Sequence, residues 1–399
     1  MHAEVPPIRA LLVDDDPALL MLLSAFLEAR GYHVDQAENG RLALEKLTSL
    51  RHRLVITDRS MPDMDGIALC RTIRAQPLGG YTYCIMLTSS GDEQTLVEAM
   101  EAGADDFLAK PVRVPQLGAR LRAAERVLAL ESSLAERNRE LHAAYEQLSR
   151  ELELARALQL SLLPAPAQFA GLQFDWLFQA SSFVGGDTFD YFPLGEQVCG
   201  FYLVDVAGHG VAAAMMAFNA HHHLRTLSQQ IAAPMLREGG DVRQVAAAVV
   251  AEYNRAFIEG ATDPGHYLTM LFGIADRRAG VCAMVQAGHP PPLLSRAGEH
   301  AFRPSGAGGL PVGILPDASF DADLFALGPG DRIVLYSDGI TDCRNARGEA
   351  FGEDRLGLLL AQQRAAPLAH TGGALRQALQ SWHGPAPDDD VTLLIFDVA

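Results

Sequence analysis

The order of apolar and polar residues divides the chain into three parts with different periodicities. Between residues 8 and 125, short apolar strands alternate with amphipathic helices, which predicts an α/β doubly wound parallel sheet. Between residues 113 and 163, apolar residues recur every seven positions, which predicts one long helix. Between residues 164 and 399, strands are followed by helices and then by strands, which predicts an α+β domain with antiparallel sheets and outer helices. The pattern therefore indicates two domains joined by a helical linker.

The linker, from Arg113 to Leu163, has the heptad pattern of a two-stranded coiled coil. Its seam consists of Leu134, Leu141, Leu148, Ala155 and Leu162 at a positions and of Asn138, Tyr145, Leu152 and Gln159 at d positions. The polar seam residues Asn138 and Gln159 would weaken such a coil but fix its register. Pro164 is expected to end the helix. The alternative is a helix that packs along the domains of its own chain.

Several strands of the N-terminal part end in polar side chains. Asp14 and Asp15 follow the first strand, Asp58 ends the third, Thr88 lies near the end of the fourth, and Lys110 follows the fifth. Ligand sites of open α/β sheets lie at the carboxyl ends of the strands, so these side chains should meet. Clustered carboxylates bind Mg²⁺, and an aspartate beside the ion can attack a phosphoryl donor while a lysine neutralises the developing charge.

This set closely resembles the receiver domain of bacterial two-component response regulators. The resemblance rests on Leu11-Leu12-Val13-Asp14-Asp15-Asp16-Pro17, on Thr57-Asp58-Arg59-Ser60-Met61-Pro62-Asp63-Met64-Asp65-Gly66, on Thr88 and on Gly103-Ala104-Asp105-Asp106-Phe107-Leu108-Ala109-Lys110-Pro111. It implies that Asp58 is the phosphoacceptor and that Asp14, Asp15, Asp58 and the Ser60 carbonyl hold Mg²⁺. Thr88 and Lys110 would bind the phosphoryl group. It also implies a sensor histidine kinase or a phosphotransfer protein as partner.

Phe107 matches the aromatic residue that swings inward in receiver domains after phosphorylation; the alternative is a plain core phenylalanine.

Four aspartates of the C-terminal part, Asp187, Asp205, Asp338 and Asp389, lie at glycine-rich or acidic turns, and each is expected to follow an apolar strand. Glycines let the backbone approach a bound ion closely, and ligation by oxygen alone suits Mg²⁺ or Mn²⁺. Two such ions about 4 Å apart can activate a bridging water and clamp a phosphoryl group for hydrolysis. The sequence therefore predicts a hydrolytic site with two divalent metal ions.

These motifs resemble the metal-dependent PPM-type protein serine/threonine phosphatases, in the bacterial branch of sporulation and stress-response phosphatases. They are Val184-Gly185-Gly186-Asp187, Asp205-Val206-Ala207-Gly208-His209-Gly210, Ala287-Gly288-His289-Pro290-Pro291, Tyr336-Ser337-Asp338-Gly339 and Asp389-Asp390-Val391-Thr392. The resemblance implies that the four aspartates and the Val206 carbonyl are metal ligands, with Asp205 central to catalysis. Alignment favours Asp389 over Asp390 as the fourth carboxylate.

The histidines of this part have open roles. His209 suits a general acid, although its spacing from Asp205 favours a structural role. His289 is expected to stabilise a turn. Three consecutive histidines, His221, His222 and His223, point in three directions on a helix and are not expected to share a metal. An arginine that would anchor the substrate phosphate is missing near Asp187.

Composition narrows the class of protein. A formal net charge of −17 at pH 7, with no visible basic segment, disfavours a nucleic-acid-binding output domain. No apolar run is long enough to span a bilayer, and residues 1 to 7 lack the apolar core of a signal peptide, so we expect a cytoplasmic protein without membrane contact. The five cysteines, Cys70, Cys84, Cys199, Cys282 and Cys343, form no CxxC pair and are expected to be buried and unpaired.

Together the parts predict a response regulator in which phosphorylation of Asp58 controls a phosphatase through a dimerising linker. Related phosphatases imply a phosphorylated anti-sigma-factor antagonist as substrate. The alternative is an adaptor that binds a sigma factor for proteolysis, since the architecture also resembles an adaptor response regulator whose phosphatase-like domain has lost its metal ligands. The four aspartates of this chain favour the enzyme.

Overall fold

The structure is a computed structural model that describes residues 8–76, 80–89, 93–260, 265–383 and 387–399. The expectation about a signal peptide in residues 1–7 lies outside the described residues. The chain forms two compact units, Met1–Glu146 and Gln147–Ala399.

The first unit contains a five-stranded parallel sheet and four short helices. The strands are β1 (Arg9–Val13), β2 (His33–Ala37), β3 (Leu54–Asp58), β4 (Tyr83–Thr88) and β5 (Asp106–Ala109). The helices are α1 (Pro17–Glu28), α2 (Gly40–Ser49), α3 (Gly66–Ala75) and α4 (Glu93–Glu101). The strand order is β2-β1-β3-β4-β5, and apolar cores line both faces of the sheet. The predicted α/β doubly wound parallel sheet is confirmed.

Side-chain caps start three of these helices close to the strand ends. Asp16 accepts a hydrogen bond from the Ala18 N–H at 2.9 Å, Asn39 caps α2, and Asp65 caps α3. These side chains satisfy N–H groups that have no partner within the first turn of a helix. The chain therefore turns from strand to helix at the carboxyl edge of the sheet.

The linker is a single helix, α5 (Val114–Leu162), which ends before Pro164 as predicted. Leu117, Leu121, Ala124 and Leu128 of its first turns are buried in the core of the first unit. Further along, the seam residues Leu134, Leu141, Tyr145 and Leu148 are 56%, 70%, 64% and 54% exposed.

The second unit is built on two antiparallel sheets. Its strands are β6 (Gln168–Phe169), β7 (Leu172–Gln179), β8 (Asp187–Pro193), β9 (Val198–Val206), β10 (Leu268–Asp276), β11 (Val281–Ala287), β12 (Leu293–Ser295), β13 (Arg303–Pro304), β14 (Ala322–Ala326), β15 (Arg332–Tyr336) and β16 (Val391–Val398). One sheet has the order β14-β11-β10-β9-β8, and the other has the order β13-β12-β15-β16-β7-β6.

The helices of this unit are α6 (Val211–Leu227), α7 (Ala233–Arg237), α8 (Val242–Gly260), α9 (Asp338–Thr341), α10 (Gly352–Gln363) and α11 (Leu368–Trp382). A π-helical segment, Ser228–Ala232, joins α6 to α7.

Alternate residues of each strand face the space between the two sheets. Phe189, Phe201 and Leu271 of one sheet share a core with Leu335 and Phe396 of the other. The residues between them in sequence face outward and pack in two further cores with the helices. This is an antiparallel β-sandwich flanked by helices, as the sequence predicts.

Two expectations from composition can be compared with the structure. All five cysteines are buried and unpaired, as expected. None of the helices in the described ranges combines the length and the apolar character that crossing a membrane requires.

Candidate active site

The carboxyl edge of the first unit's sheet joins two aspartates to one lysine. Lys110 Nζ lies 2.8 Å from Asp14 Oδ2 and 2.7 Å from Asp58 Oδ1. Asp14 and Asp58 are 2% and 7% exposed. Burial alone lowers the pKa of Lys110, but the hydrogen bonds to Asp14 and Asp58 raise that pKa above its ordinary value. Lys110 is therefore a fixed cation beside the predicted phosphoacceptor.

The same edge can hold a cation. Asp14, Asp15 and Asp58 each offer an oxygen, and these oxygens lie within 4.8 Å of one another. Asp58 Oδ2 accepts a hydrogen bond from the Ser60 N–H at 3.1 Å, and Thr88 is buried at the end of β4. This all-oxygen set has the composition that Mg²⁺ prefers.

Phe107 is linked to the start of the linker helix by one arginine. The Arg120 guanidinium lies 5.9 Å from the centre of the half-buried Phe107 ring, and Arg120 Nη1 lies 3.1 Å from Asp106 Oδ1. A movement of the Phe107 ring would disturb these contacts with α5. Its predicted inward swing stays a prediction.

In the second unit, strand register brings Asp187 and Asp205 together. Asp187 is the first residue of β8 and lies opposite Asp205, the penultimate residue of β9. In a strand, residues two apart face the same side of the sheet. Asp187 is two residues from Phe189 and Asp205 is two residues from Leu203, and both of these belong to the core between the sheets, so both aspartate side chains face that space. The expectation that each aspartate follows a strand is wrong for Asp187 and for Asp389, because these two precede β8 and β16.

The other sheet supplies the remaining carboxylates from the opposite side. Asp338 begins α9 just after β15, and Asp389 lies two residues before β16. A Cβ atom on Gly339 would lie 2.1 Å from the Asp390 carbonyl oxygen, so only glycine allows the two turns to approach this closely. Thr392 Oγ1 donates a 2.5 Å hydrogen bond to Asp187 Oδ2, which links the two sheets at this edge.

Electrostatic interactions link the four carboxylates to one another. Burial, followed by the charges of Asp338 and Asp389, raises the pKa of Asp205 to about 7. Burial, followed by the charge of Asp205, raises the pKa of Asp187 well above its ordinary value. Burial and the charge of Asp389 raise the pKa of Asp338. Carboxylates that disfavour one another's ionisation in this way form a site that attracts cations.

The residues present fit a pair of hard divalent cations. Asp187 Oδ1 is buried and makes no hydrogen bond with a described residue, so it is available as a ligand. Oxygens from four carboxylates form a ligand set that Mg²⁺ and Mn²⁺ prefer. Among the described residues, the group of three possible metal ligands whose oxygens lie within 4.8 Å of one another is Asp14, Asp15 and Asp58. The four carboxylates around Asp205 do not form such a compact group.

Asp389 and Asp390 have different surroundings. The Asp390 carboxylate accepts hydrogen bonds from the Ser181 N–H at 2.8 Å, from the Ser181 hydroxyl at 3.0 Å and from the Gly186 N–H. Through these hydrogen bonds the Asp390 carboxylate stabilises the loop that precedes Asp187. Asp389 is exposed, and its carboxylate accepts the Asp390 N–H. These contacts support Asp389 as the ligand and give Asp390 a structural role that the sequence did not reveal.

The linker helix also contacts this loop through Gln159. Its side chain donates to the Gly185 carbonyl at 2.7 Å and accepts from the Gly185 N–H at 3.1 Å. The heptad pattern placed Gln159 in a seam between chains, but the structure pairs its amide with the backbone two residues before Asp187. The heptad pattern of the helix cannot predict this contact, because Gly185 lies 26 residues beyond Gln159 in the sequence.

The predicted histidines have different positions. His209 is exposed and lies near Asp389. Burial raises the pKa of Asp389, and His209 opposes this rise. Tyr202 Oη lies 3.0 Å from His221 Nδ1, and burial lowers the pKa of His221 to about 4. The His222 and His223 rings are centred 6.2 Å apart. Among the described residues, the group of possible metal ligands that lie close together does not include these three histidines.

Comparison with protein families divides the chain in the same way. The model of the Stage II sporulation protein E (SpoIIE) family matches residues 195–399, and the response regulator receiver domain matches residues 10–122. The receiver part is similar to the transcriptional regulatory protein ResD of Bacillus subtilis, with 38% identity over 115 residues, which are 29% of this chain and 47% of ResD.

The C-terminal part is similar to the phosphoserine phosphatase RsbP of Bacillus subtilis, with 28% identity over 198 residues, which are 48% of this chain and 45% of RsbP. This chain thus spans about half the length of the curated relatives it matches. Among solved structures, the SiaA-PP2C domain of Pseudomonas aeruginosa is matched over 64% of this chain and 99% of that domain, with 23% identity and a TM-score of 0.55. This likeness identifies the fold of the second unit as PP2C-like.

Proposed function

We propose, from the premise that the chain belongs to the Stage II sporulation protein E (SpoIIE) family and carries a receiver domain, that it is a receiver-controlled protein phosphatase. The reaction is the metal-dependent hydrolysis of phosphoserine or phosphothreonine in a protein. The observation that carries the proposal is the convergence of Asp187, Asp205, Asp338 and Asp389 at one edge of the sandwich.

The residues of this edge have separate tasks. Asp205 lies beside Asp187 and is influenced by the charges of Asp338 and Asp389, so it would hold the metal ions together with these three carboxylates. The Val206 carbonyl, next along β9, is proposed as a further ligand. Thr392 orients Asp187 through its hydrogen bond and leaves Oδ1 free. When bound, two Mg²⁺ or Mn²⁺ ions would supply an activated water and neutralise charge on the phosphate.

The receiver edge supplies the input. We propose that Asp58 accepts a phosphoryl group from a sensor histidine kinase or a phosphotransfer protein, with Mg²⁺ held by Asp14, Asp15, Asp58 and the Ser60 carbonyl. Lys110 and Thr88 would bind the added oxygens. Phosphorylation adds nearly two negative charges, which compete for Lys110 and so weaken its pairing with Asp14. The proximity of Lys110 to Asp58 supports this role.

Two features of α5 support communication with the phosphatase site. Its first turns are part of the receiver core, where Arg120 contacts Phe107. Near its end, Gln159 is hydrogen-bonded to Gly185, close to Asp187. A helix that shifts or rotates at one end therefore has a direct contact through which to move the loop before Asp187.

A homodimer through the linker is the proposed assembly. Leu134, Leu141, Tyr145 and Leu148 repeat with heptad spacing and are more than half exposed. Exposed leucines at a and d positions are stabilised when a second helix covers them.

For the substrate we propose a phosphorylated anti-sigma-factor antagonist in stress or stationary-phase signalling. The resemblance to stress-response phosphatases supports this choice, and RsbP is named a phosphoserine phosphatase.

The test is hydrolysis of a phosphoserine peptide by the full chain with and without Mn²⁺. The comparison is between the wild type, Asp338→Ala and Asp317→Ala, the last being an exposed aspartate of the same unit. We expect Mn²⁺-dependent release of phosphate that Asp338→Ala reduces at least a hundredfold, by analogy with the loss of a major charge-stabilising group, and that Asp317→Ala leaves unchanged. Equal activity of wild type and Asp338→Ala would support the adaptor alternative instead.

A further inference from the structure

His289 is a buried histidine near the candidate site, and its imidazole makes a contact that the surrounding turn does not need. It is 2% exposed, and its Nδ1 lies 2.7 Å from Thr269 Oγ1. The turn itself is held by other groups, since Gly288 bridges to Met270 and Gln286 Nε2 donates to the His289 carbonyl at 2.7 Å. Neither contact uses the imidazole. Turn formation therefore leaves the choice of histidine unexplained.

Thr269 is the neighbour of a candidate metal ligand. It lies opposite Asp205 in the β9–β10 ladder, just as Asp187 lies opposite Asp205 in the β8–β9 ladder. Side chains at directly opposed positions share a face of the sheet, with Cβ atoms roughly 5 Å apart. Asp187, Asp205 and Thr269 thus form one row that faces the space between the sheets. The hydroxyl that contacts His289 lies beside the Asp205 carboxylate.

The imidazole is also close to the other sheet. The backbone carbonyl of Tyr336 is near enough to favour the protonated ring, although Nε2 makes no hydrogen bond of ordinary geometry with a described residue. Burial dominates and lowers the pKa of His289 to about 3, so the ring is neutral at pH 7. Tyr336 ends β15, two residues before Asp338. The ring therefore lies between β10, whose Thr269 is paired with Asp205 of β9, and β15, which leads to Asp338.

A buried imidazole with an unsatisfied nitrogen is a poor choice for stability alone. Leaving a buried polar atom without a partner costs roughly 1–3 kcal/mol, which an apolar ring of similar size would avoid. We propose that His289 is a positioning residue, which holds Thr269 beside Asp205 and sets the spacing between Asp205 and Asp338. This rests on the proposed function, in which those aspartates hold metal ions. The spacing of ligands from two different sheets then determines how tightly the ions bind.

The test compares two substitutions of His289 with one of Thr269. His289→Phe keeps a buried ring but removes the hydrogen bond to Thr269. His289→Asn restores a polar atom at the place of Nδ1. Thr269→Val removes the same hydrogen bond from the other end without changing the volume. Thr371→Val is the matched control, because Thr371 lies in α11 and its buried hydroxyl makes no hydrogen bond with a described residue.

The readout is the Mn²⁺ concentration that produces a fixed increase in the midpoint of urea unfolding, which is followed by tryptophan fluorescence. The two tryptophans, Trp176 and Trp382, lie in the second unit, so the fluorescence reports unfolding of that unit and not Mn²⁺ binding at the receiver. We expect His289→Phe and Thr269→Val each to raise this concentration about fivefold, the factor for one hydrogen bond of about 1 kcal/mol. His289→Asn and Thr371→Val should stay within about twofold of the wild type.

Combining His289→Phe with Thr269→Val should raise the Mn²⁺ requirement no further than either change alone, because both substitutions remove the same hydrogen bond. With saturating Mn²⁺, kcat should recover while the KM for a phosphate ester stays near that of the wild type. Unchanged Mn²⁺ requirements in His289→Phe and Thr269→Val, with binding intact in the wild type, would overturn the role of His289. If His289→Phe does not fold, Thr269→Val and His289→Asn decide the question. Absence of Mn²⁺ stabilisation in the wild type would instead refute the proposed function, and this role with it.

Discussion

Asparagine at position 205 should stabilise the metal-free protein while abolishing its response to metal. The wild-type carboxylate is buried near Asp338 and Asp389, and these surroundings raise its pKa to about 7. Above that pH Asp205 is ionised, and both its burial and its repulsion by the neighbouring carboxylates destabilise the folded protein. Asp205→Asn preserves the size of the side chain and removes the charge. The variant should therefore be the more stable protein in EDTA, although it lacks a ligand that Mn²⁺ needs.

The magnitude follows from the pKa of Asp205 in the folded and unfolded chain. The ordinary value is 3.8, and the folded value is about 7. Between these values the folded protein binds a proton that the unfolded chain has released, so wild-type stability falls as the pH rises. At about 1.4 kcal/mol per pH unit, the full loss is on the order of 4 kcal/mol. Because neighbouring carboxylates titrate together, we expect about 2–4 kcal/mol in favour of Asp205→Asn at pH 8.

The assay is urea unfolding in EDTA at several pH values from 5 to 8, followed by tryptophan fluorescence. Because Trp176 and Trp382 both belong to the second unit, the signal reports the unit that contains Asp205. The stability advantage of Asp205→Asn should grow with pH, and added Mn²⁺ should stabilise the wild type but not Asp205→Asn. Asp317→Asn, which removes an exposed charge from the same unit, should have no such advantage and should still be stabilised by Mn²⁺.

The opposite result would refute the reasoning. If Asp205→Asn were destabilised in EDTA by the same amount at pH 5 and pH 8, then the carboxylates would not repel one another. The four aspartates would then have separate surroundings, and the case for a shared metal site would fail.

Further predictions concern the contacts that position both sites. Gln159→Ala removes two hydrogen bonds to the loop before Asp187, each worth about 1 kcal/mol, and should raise the Mn²⁺ requirement by up to about thirtyfold. Gln147→Ala, which loses only an exposed contact on the same helix, should not raise it. Gly66→Ala would place a Cβ 2.2 Å from the Asp58 carbonyl oxygen, and should destabilise the receiver by more than about 2 kcal/mol in chemical denaturation followed by circular dichroism. Gly357→Ala meets no atom within 4 Å in helix α10 and should stabilise the second unit by about 0.5–1 kcal/mol. Leu141→Lys should weaken a dimer detected by analytical ultracentrifugation at least tenfold through loss of a buried leucine, and an unchanged mass would contradict the coiled coil.

The receiver site was predictable because its geometry follows from local sequence. In a parallel sheet every carboxyl end lies at the same edge, so strands that end near Asp14, Asp58 and Thr88 bring these residues together whatever the detailed register. The structure joins Lys110 to Asp14 and Asp58 as this rule requires.

The residues of the candidate site in the second unit could be named from the sequence, but their arrangement could not. In an antiparallel sheet the start of one strand meets the end of the next, so Asp187 begins β8 and still lies opposite Asp205. Reading each aspartate as the end of a strand was wrong for Asp187 for this reason. Gln159 is a similar case, because its heptad position describes only the helix and contains no information about Gly185.

The sequence alone determined the two fold classes, the long helix and the types of residue that carry the chemistry, because these depend on periodicity and on short motifs. Only the tertiary structure decided which oxygen atoms remain free. It commits Asp390 to Ser181 and Gly186, and leaves Asp187 Oδ1 without a described partner. It also places His289 between two sheets. Hydrogen-bond partners far apart in the chain depend on register and on the packing of one sheet against another, which no local pattern specifies.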